Sequence, residues 1–157
     1  MVTRVAESRT VPVPIETAYE RTLVVPLTEI FVHRHLAIPP VVGVDGQDGE
    51  WGRRLGQTRT IRTSDGGSLH ETLTELDRPH RFAYDLDQVR GPMRPLVRRV
   101  GGAWSFAAAG PGTTITWSWE LTPTSALTAP LVTLVGRMWH GYARHGLMTL
   151  ESILVRP

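Results

Sequence analysis

At 157 residues the chain has the length of one ordinary domain, and such a domain buries roughly 70% of its unfolded surface without a disulfide or a metal. Hydrophobic residues make up 41% and charged residues 20%, which excludes a disordered or fibrous chain. Cysteine is absent, all 17 basic residues are arginine and the net charge is +2, so thiol catalysis, zinc–thiolate sites, lysine Schiff bases and a nucleic-acid footprint are excluded.

Thr3–Val13 carries Val5, Val11 and Val13 at odd positions, the spacing of a strand. Pro14 suits the first turn of a helix over Ile15–Leu23, with Glu16 placed to favour its N-terminal end. Pro26 breaks that helix, Leu27–His35 reads as a second short one, and Pro39-Pro40 ends it. Val41–Val44 is a short strand, followed by a Gly/Asp-rich turn through Gly52. Five further strands are predicted over Gly56–Thr63, Ser68–Leu76, Arg81–Val89, Val100–Ala109 and Thr113–Thr122. Their separators, Asp65-Gly66-Gly67, Asp77-Arg78-Pro79-His80 and Gly110-Pro111-Gly112, are hairpin turns. Leu127–Leu154 has helical spacing, with Val132, Val135, Trp139, Ala143, Leu147, Leu150 and Leu154 along one stripe.

No repeat or linker divides the chain, so a single domain over residues 1–157 is expected. The predicted fold class is α+β: a curved seven-stranded antiparallel sheet wrapped on a long C-terminal helix, with two short helices between strands 1 and 2. One helix cannot fill the concavity of a strongly curved sheet, so a cavity is expected rather than a solid core. Residues 1–14 lack the apolar core of a signal peptide, and the longest apolar tract, around Ala129–Gly136, is far shorter than a membrane span. A soluble, cytoplasmic protein without stable membrane insertion is expected.

Side-chain faces follow from hairpin register. Pairing across Gly110–Thr113 sets Trp104 opposite Trp119, Phe106 opposite Trp117 and Ala108 opposite Ile115, all on the inner face. Across Asp77–His80, Leu73 pairs with Tyr84, Glu71 with Leu86 and Thr72 with Asp85, so Glu71, Leu73, Tyr84 and Leu86 point inward. At Asp65 a two-residue turn would put Arg59 outside. A three-residue loop puts Arg59 and Ile61 inside with Glu71 and Leu73, gathers the apolar residues on one face, and is adopted here. The predicted cavity wall is therefore Arg59, Ile61, Glu71, Leu73, Tyr84, Leu86, Trp104, Phe106 and Trp117 from the sheet, with Val135, Trp139 and Ala143 from the helix. An Arg and a Glu inside an aromatic cavity either brace the sheet as an ion pair or serve the polar end of a ligand.

The element order, together with GQTRTIR (Gly56–Arg62), DGGSLHETL (Asp65–Leu73), RPHRFAYDL (Arg78–Leu86) and GAWSFAAAGPGTTITW (Gly102–Trp117), resembles the START-like helix-grip (SRPBCC) superfamily, in its polyketide cyclase/dehydratase branch. The resemblance implies a ligand held between the sheet and the C-terminal helix. In relatives such as the plant abscisic-acid receptors, an Arg and a Glu at positions similar to Arg59 and Glu71 line the pocket. Residues matching Tyr84 and Leu86 line it too.

Other constellations carry less. His33 and His35 point apart on the predicted helix, His140 and His145 are off a common face, and neither pair has a placed third ligand, so no metal and no cofactor is expected. The doublets Arg53-Arg54 and Arg98-Arg99 lack an aromatic platform for nucleic acid. Three functional readings stand: a binding protein for a lipid, polyketide or sterol-like molecule; a cyclase/dehydratase-type enzyme; and a partner-binding or chaperone module. In the enzyme, Arg59 would polarise a carbonyl and Glu71 or Tyr84 would move a proton. The sequence leaves the oligomeric state open.

Overall fold

Alternation of apolar and polar residues drives seven segments into strands, and the computed structural model, which describes residues 1–157, joins them into one antiparallel sheet. In chain order the elements are β1 (Thr3–Val11), α1 (Ile15–Val24), α2 (Leu27–Ile30), β2 (Val41–Asp45), β3 (Thr58–Thr63), β4 (Ser68–Asp77), β5 (Arg81–Arg90), β6 (Val97–Ala109), β7 (Gly112–Pro123) and α3 (Ala129–Leu154). The strand order is β1-β7-β6-β5-β4-β3-β2, so β1 and β2 are the two edges of a curved sheet. The α1–α2 segment must therefore cross from one edge to the other. That crossing places it over the open side of the concavity, which α3 alone does not cover.

The predicted stripe on α3 is buried along its whole length, from Val132 to Leu154. Pro130 sits in its first turn, where a missing N–H costs nothing. Its C-terminal carbonyls are closed by α1: Arg21 Nη2 donates to Ile153 O at 2.8 Å and Arg21 Nη1 to Leu154 O at 2.7 Å.

The second helix is shorter than its sequence pattern predicts. It ends at Ile30 rather than His35. Phe31 turns inward instead, stacked on Tyr142 with ring centroids 5.4 Å apart and against Trp117 at 4.9 Å. Its carbonyl accepts from Val41 N at 3.0 Å, and His35 and Ile38 exchange two backbone hydrogen bonds in a tight turn. Aromatic burial and these pairings override a helical period over so short a segment.

Register matches the prediction at β4–β5, where Leu73 faces Tyr84, Glu71 faces Leu86 and Thr72 faces Asp85. At β6–β7 it differs by two residues. Trp104 faces Trp117 rather than Trp119, and Phe106 faces Ile115 rather than Trp117. The cause is a tighter turn: Ala109 pairs with Gly112 across Gly110–Pro111, with Gly110 at φ +59° in the first central position, as a two-residue hairpin favours. A slip of two preserves the faces. Trp104, Phe106, Ile115 and Trp117 are buried and Trp119 is half-buried, but Ala108, beyond the rim, is exposed. At β3–β4 the loop is Ser64-Asp65-Gly66 rather than Asp65-Gly66-Gly67, with Thr63 N donating to Gly67 O at 3.0 Å, so Arg59 stands opposite Glu71 and Ile61 opposite Leu69. This slip of two also preserves the faces, and Arg59 and Ile61 lie on the inner one as predicted.

Candidate functional site

Two neighbouring strands place a charged pair inside the sheet. Arg59 and Glu71 are direct cross-strand partners, and Arg59 Nε donates to Glu71 Oε1 at 2.6 Å with side-chain exposures of 7% and 4%. Arg59 Nη1 also donates to Gln47 Oε1 at 3.1 Å, and the guanidinium carbon lies 3.9 Å from the centre of the Trp51 ring, within cation–π range. Burial pushes the Glu71 carboxyl above its ordinary range, and the charge and hydrogen bond of Arg59 pull it back only in part.

The segment that carries Gln47 and Trp51 is locked from within. Gln57, itself buried, accepts from Gly52 N and Arg53 N through Oε1 and donates through Nε2 to Asp48 O and Glu50 O. One side chain thereby fixes four backbone groups of the β2–β3 connection, and Trp51 is held over Arg59. Sequence reasoning passed over Gln47, Trp51 and Gln57. The available signal was a tryptophan in an otherwise Gly/Asp-rich turn, where only burial explains a large aromatic.

Next along the inner face stands Tyr84. Its hydroxyl oxygen accepts from Trp117 Nε1 at 2.8 Å and from Trp119 Nε1 at 3.0 Å. The ring passes over Gly102, where a Cβ would overlap the Tyr84 ring, so a glycine there is a steric requirement. Burial and the neighbouring Glu71 carboxylate push the Tyr84 hydroxyl well above the ordinary tyrosine range, so it remains protonated.

These groups border a cavity of about 130 Å³. Most of its wall is hydrophobic, and the polar groups are few. Of the predicted wall, Arg59, Ile61, Glu71, Tyr84, Leu86, Trp104, Trp117 and Val135 lie on it. Leu73, Phe106, Trp139 and Ala143 are buried but stand away from it in packed core. Trp139 lies against Trp117 at 4.8 Å and Trp119 at 5.9 Å, filling the space it was expected to border. Phe106 packs edge-on to Tyr19 at 5.3 Å and stacks with Phe82 at 6.0 Å. From α3 only Val135 and Tyr142 reach the cavity; much of the rest of the cover comes from the α1–α2 crossing, including Thr22, Leu23, Val25, Leu27, Ile30 and Phe31, and from Ile38 and Pro39 after it. Thr22 Oγ1 is buried there without a hydrogen-bond partner, as is Trp139 Nε1 in the core behind.

The histidines stand elsewhere. His33 and His35 lie in the loop after α2, each ring 5.9 Å from that of His145, and no three His, Asp or Glu side chains are disposed to hold a metal ion. His140 pairs with Glu7 at 3.1 Å, off the cavity wall.

Residues 2–154 match the family model described as polyketide cyclase/dehydrase and lipid transport. Among solved structures, ginseng major latex-like protein 151 from Panax ginseng is similar with a TM-score of 0.72 and 12% identity over 99% of both chains. Ara h 8.0201 is similar with a TM-score of 0.69 and 17% identity, also over 99% of both chains. A START superfamily protein from Mycobacterium smegmatis matches with a TM-score of 0.65 and 12% identity over 96% of each chain. At these identities the likeness establishes the shared helix-grip fold. A search of curated protein sequences finds no match.

Proposed function

The chain belongs to the polyketide cyclase/dehydrase and lipid-transport family, within the START-like SRPBCC superfamily, and from that premise we propose that it binds a small hydrophobic molecule in the cavity under the α1–α2 crossing. The observation that carries this reading is the cavity itself: about 130 Å³, with an aromatic and aliphatic wall and a handful of polar groups. Space of that kind inside a well-packed interior is costly to keep, because its lining forgoes dispersion contacts. An apolar cavity of about 150 Å³ accepts benzene, so a single-ring molecule sets the scale of what enters without moving the walls.

The same reading covers the predicted wall residues: Arg59, Glu71 and Tyr84 would orient the ligand, and Ile61, Leu86, Trp104, Trp117 and Val135 would enclose it. Leu73, Phe106, Trp139 and Ala143 would act by shaping the residues in front of them. A cytoplasmic location is part of the proposal; no helix is long and apolar enough to cross a membrane. Enzymatic use of the site finds less support, because Arg59 is already engaged by Glu71, Gln47 and the Trp51 face.

Two measurements test the binding reading. Native mass spectrometry of the protein from its own host should show a hydrophobic compound that is lost on denaturation. Ethylbenzene, added to the stripped protein, should raise Tm in a concentration-dependent way. No retained compound and no thermal shift at saturating ethylbenzene would overturn the proposal.

A further inference from the structure

A phenol oxygen has one hydrogen to donate and two lone pairs to accept with. In Tyr84 both lone pairs are occupied, by Trp117 Nε1 at 2.8 Å and Trp119 Nε1 at 3.0 Å. The hydroxyl makes no third hydrogen bond. Glu71 on the wall takes its hydrogen bond from Arg59, and no hydrogen bond joins Tyr84 to Tyr142, the other phenol on the wall. Tyr84 is buried, at 7% exposure, and stands on the wall of the cavity, where a bound molecule can reach it.

A buried donor without a partner is costly, and its position is fixed here by a built arrangement. Two indoles approach the oxygen from positions two apart on β7, and Gly102 on β6 leaves room for the ring to lie flat. Accepting two hydrogen bonds polarises the O–H and strengthens it as a donor. Other polar side chains of the wall behave differently: Arg59 is engaged at Nε and Nη1, Thr63 donates to Asp65, Thr22 Oγ1 can both donate and accept, and Ser68 and Arg90 complete the set.

We infer that the Tyr84 hydroxyl is a dedicated hydrogen-bond donor to the ligand, and that the cavity selects small hydrophobic molecules whose buried end is an acceptor such as a ketone, ester or ether oxygen. A group that can only donate finds no free lone pair on Tyr84. Nor can Tyr84 serve as a proton acceptor in a reaction while both indoles hold its oxygen, so its part in any chemistry would be to polarise a carbonyl. The inference rests on the cavity being a ligand site, as proposed above, and adds the polarity of what it holds.

Acetophenone and ethylbenzene differ only in a carbonyl against a methylene and have nearly the same shape. Their ratio of affinities for the parent protein is compared with the ratio for Tyr84→Phe, both by titration calorimetry. One hydrogen bond from Tyr84 should make the parent's acetophenone-to-ethylbenzene ratio roughly 5- to 10-fold higher than that of the variant. Because Tyr84→Phe strands the buried Trp117 N–H and the half-buried Trp119 N–H and can fail to fold, a second measurement uses the parent alone. The infrared carbonyl stretch of bound, 13C-labelled acetophenone should fall below its value in cyclohexane. An unchanged ratio, or a carbonyl stretch at the cyclohexane value, overturns the role of Tyr84 while ethylbenzene binding leaves the cavity reading intact. Binding of neither compound overturns both.

Discussion

A buried carboxylate can shed its charge by taking up a proton, whereas a buried guanidinium stays charged at any accessible pH. At the scale of single residues this makes the Arg59–Glu71 pair asymmetric, although each partner is over nine-tenths buried. Glu71→Leu leaves a cation held by Gln47 and Trp51 alone, and should cost about 3–5 kcal/mol with little change between about pH 5 and about pH 8. Arg59→Met leaves a carboxyl whose pKa, already raised by burial above its ordinary 4.5, loses the downward pull of the guanidinium and rises further. A group raised in the folded state contributes stability that is complete below its unfolded pKa and is lost as pH rises through the folded one. Arg59→Met should therefore be mild near pH 5 and grow worse toward pH 8. Urea unfolding across that range measures both variants, and parallel pH profiles would refute the asymmetry. Replacing the pair together by Met and Leu should recover most of the loss, since apolar residues of similar volume commonly match a buried ion pair.

Among the elements, α3 depends on α1 for its end. The last carbonyls of a helix have no N–H ahead of them and carry a negative partial charge. Arg21 supplies both donors and positive charge, reaching Ile153, Leu154 and, at 3.1 Å, Arg156. Arg21→Gln should cost about 1 kcal/mol, with hydrogen exchange faster at Ile153–Arg156 and unchanged across Val132–Leu147. Uniform acceleration along α3 would instead mean that Arg21 supports the whole helix. Neither the cap nor the two-residue slip at β6–β7 was legible in the sequence, and for related reasons. Hydrophobic alternation has a period of two, so it assigns Trp104 and Trp117 to the inner face but does not distinguish registers two residues apart. Only the turn distinguishes them, and Gly110–Pro111 closes more tightly than the predicted loop. The β4–β5 register agrees with the one read from the Asp77–His80 turn, although that turn closes more tightly: Asp77 pairs with Arg81, and an irregularity between Leu73 and Glu75 restores the pairing of Leu73 with Tyr84 and of Glu71 with Leu86. α2 was misread because Leu27, Ile30 and Phe31 have helical spacing, while the partners that pull Phe31 inward, Trp117 and Tyr142, lie far along the chain.

For the molecule as a whole, cavity size is set by how far the aromatic rings condense on one another. Composition shows five tryptophans and the strand pattern turns three of them inward, but the ring geometry is a property of the assembled fold. Trp117 is the centre of that assembly, with Trp104 at 5.2 Å, Trp119 at 5.5 Å, Trp139 at 4.8 Å and Phe31 at 4.9 Å. These contacts close the end of the concavity under α3, and the space that remains lies beneath the α1–α2 crossing, whose short helices give weak periodic signals. Trp139 is therefore a backstop: it does not touch the cavity, yet it holds Trp117 and Trp119 against it. Trp139→Ala should cost about 3–5 kcal/mol, as large-to-small changes in packed cores do, and should let both indoles retreat. The parent should bind ethylbenzene and exclude 2-ethylnaphthalene, whose second ring exceeds a cavity of about 130 Å³. The variant should bind the naphthalene at least about 10-fold more tightly than the parent does, and regain part of its lost Tm on doing so. If the parent takes both compounds equally well, the aromatic cluster does not set the size limit, and the limit must lie in the mobility of the α1–α2 crossing instead.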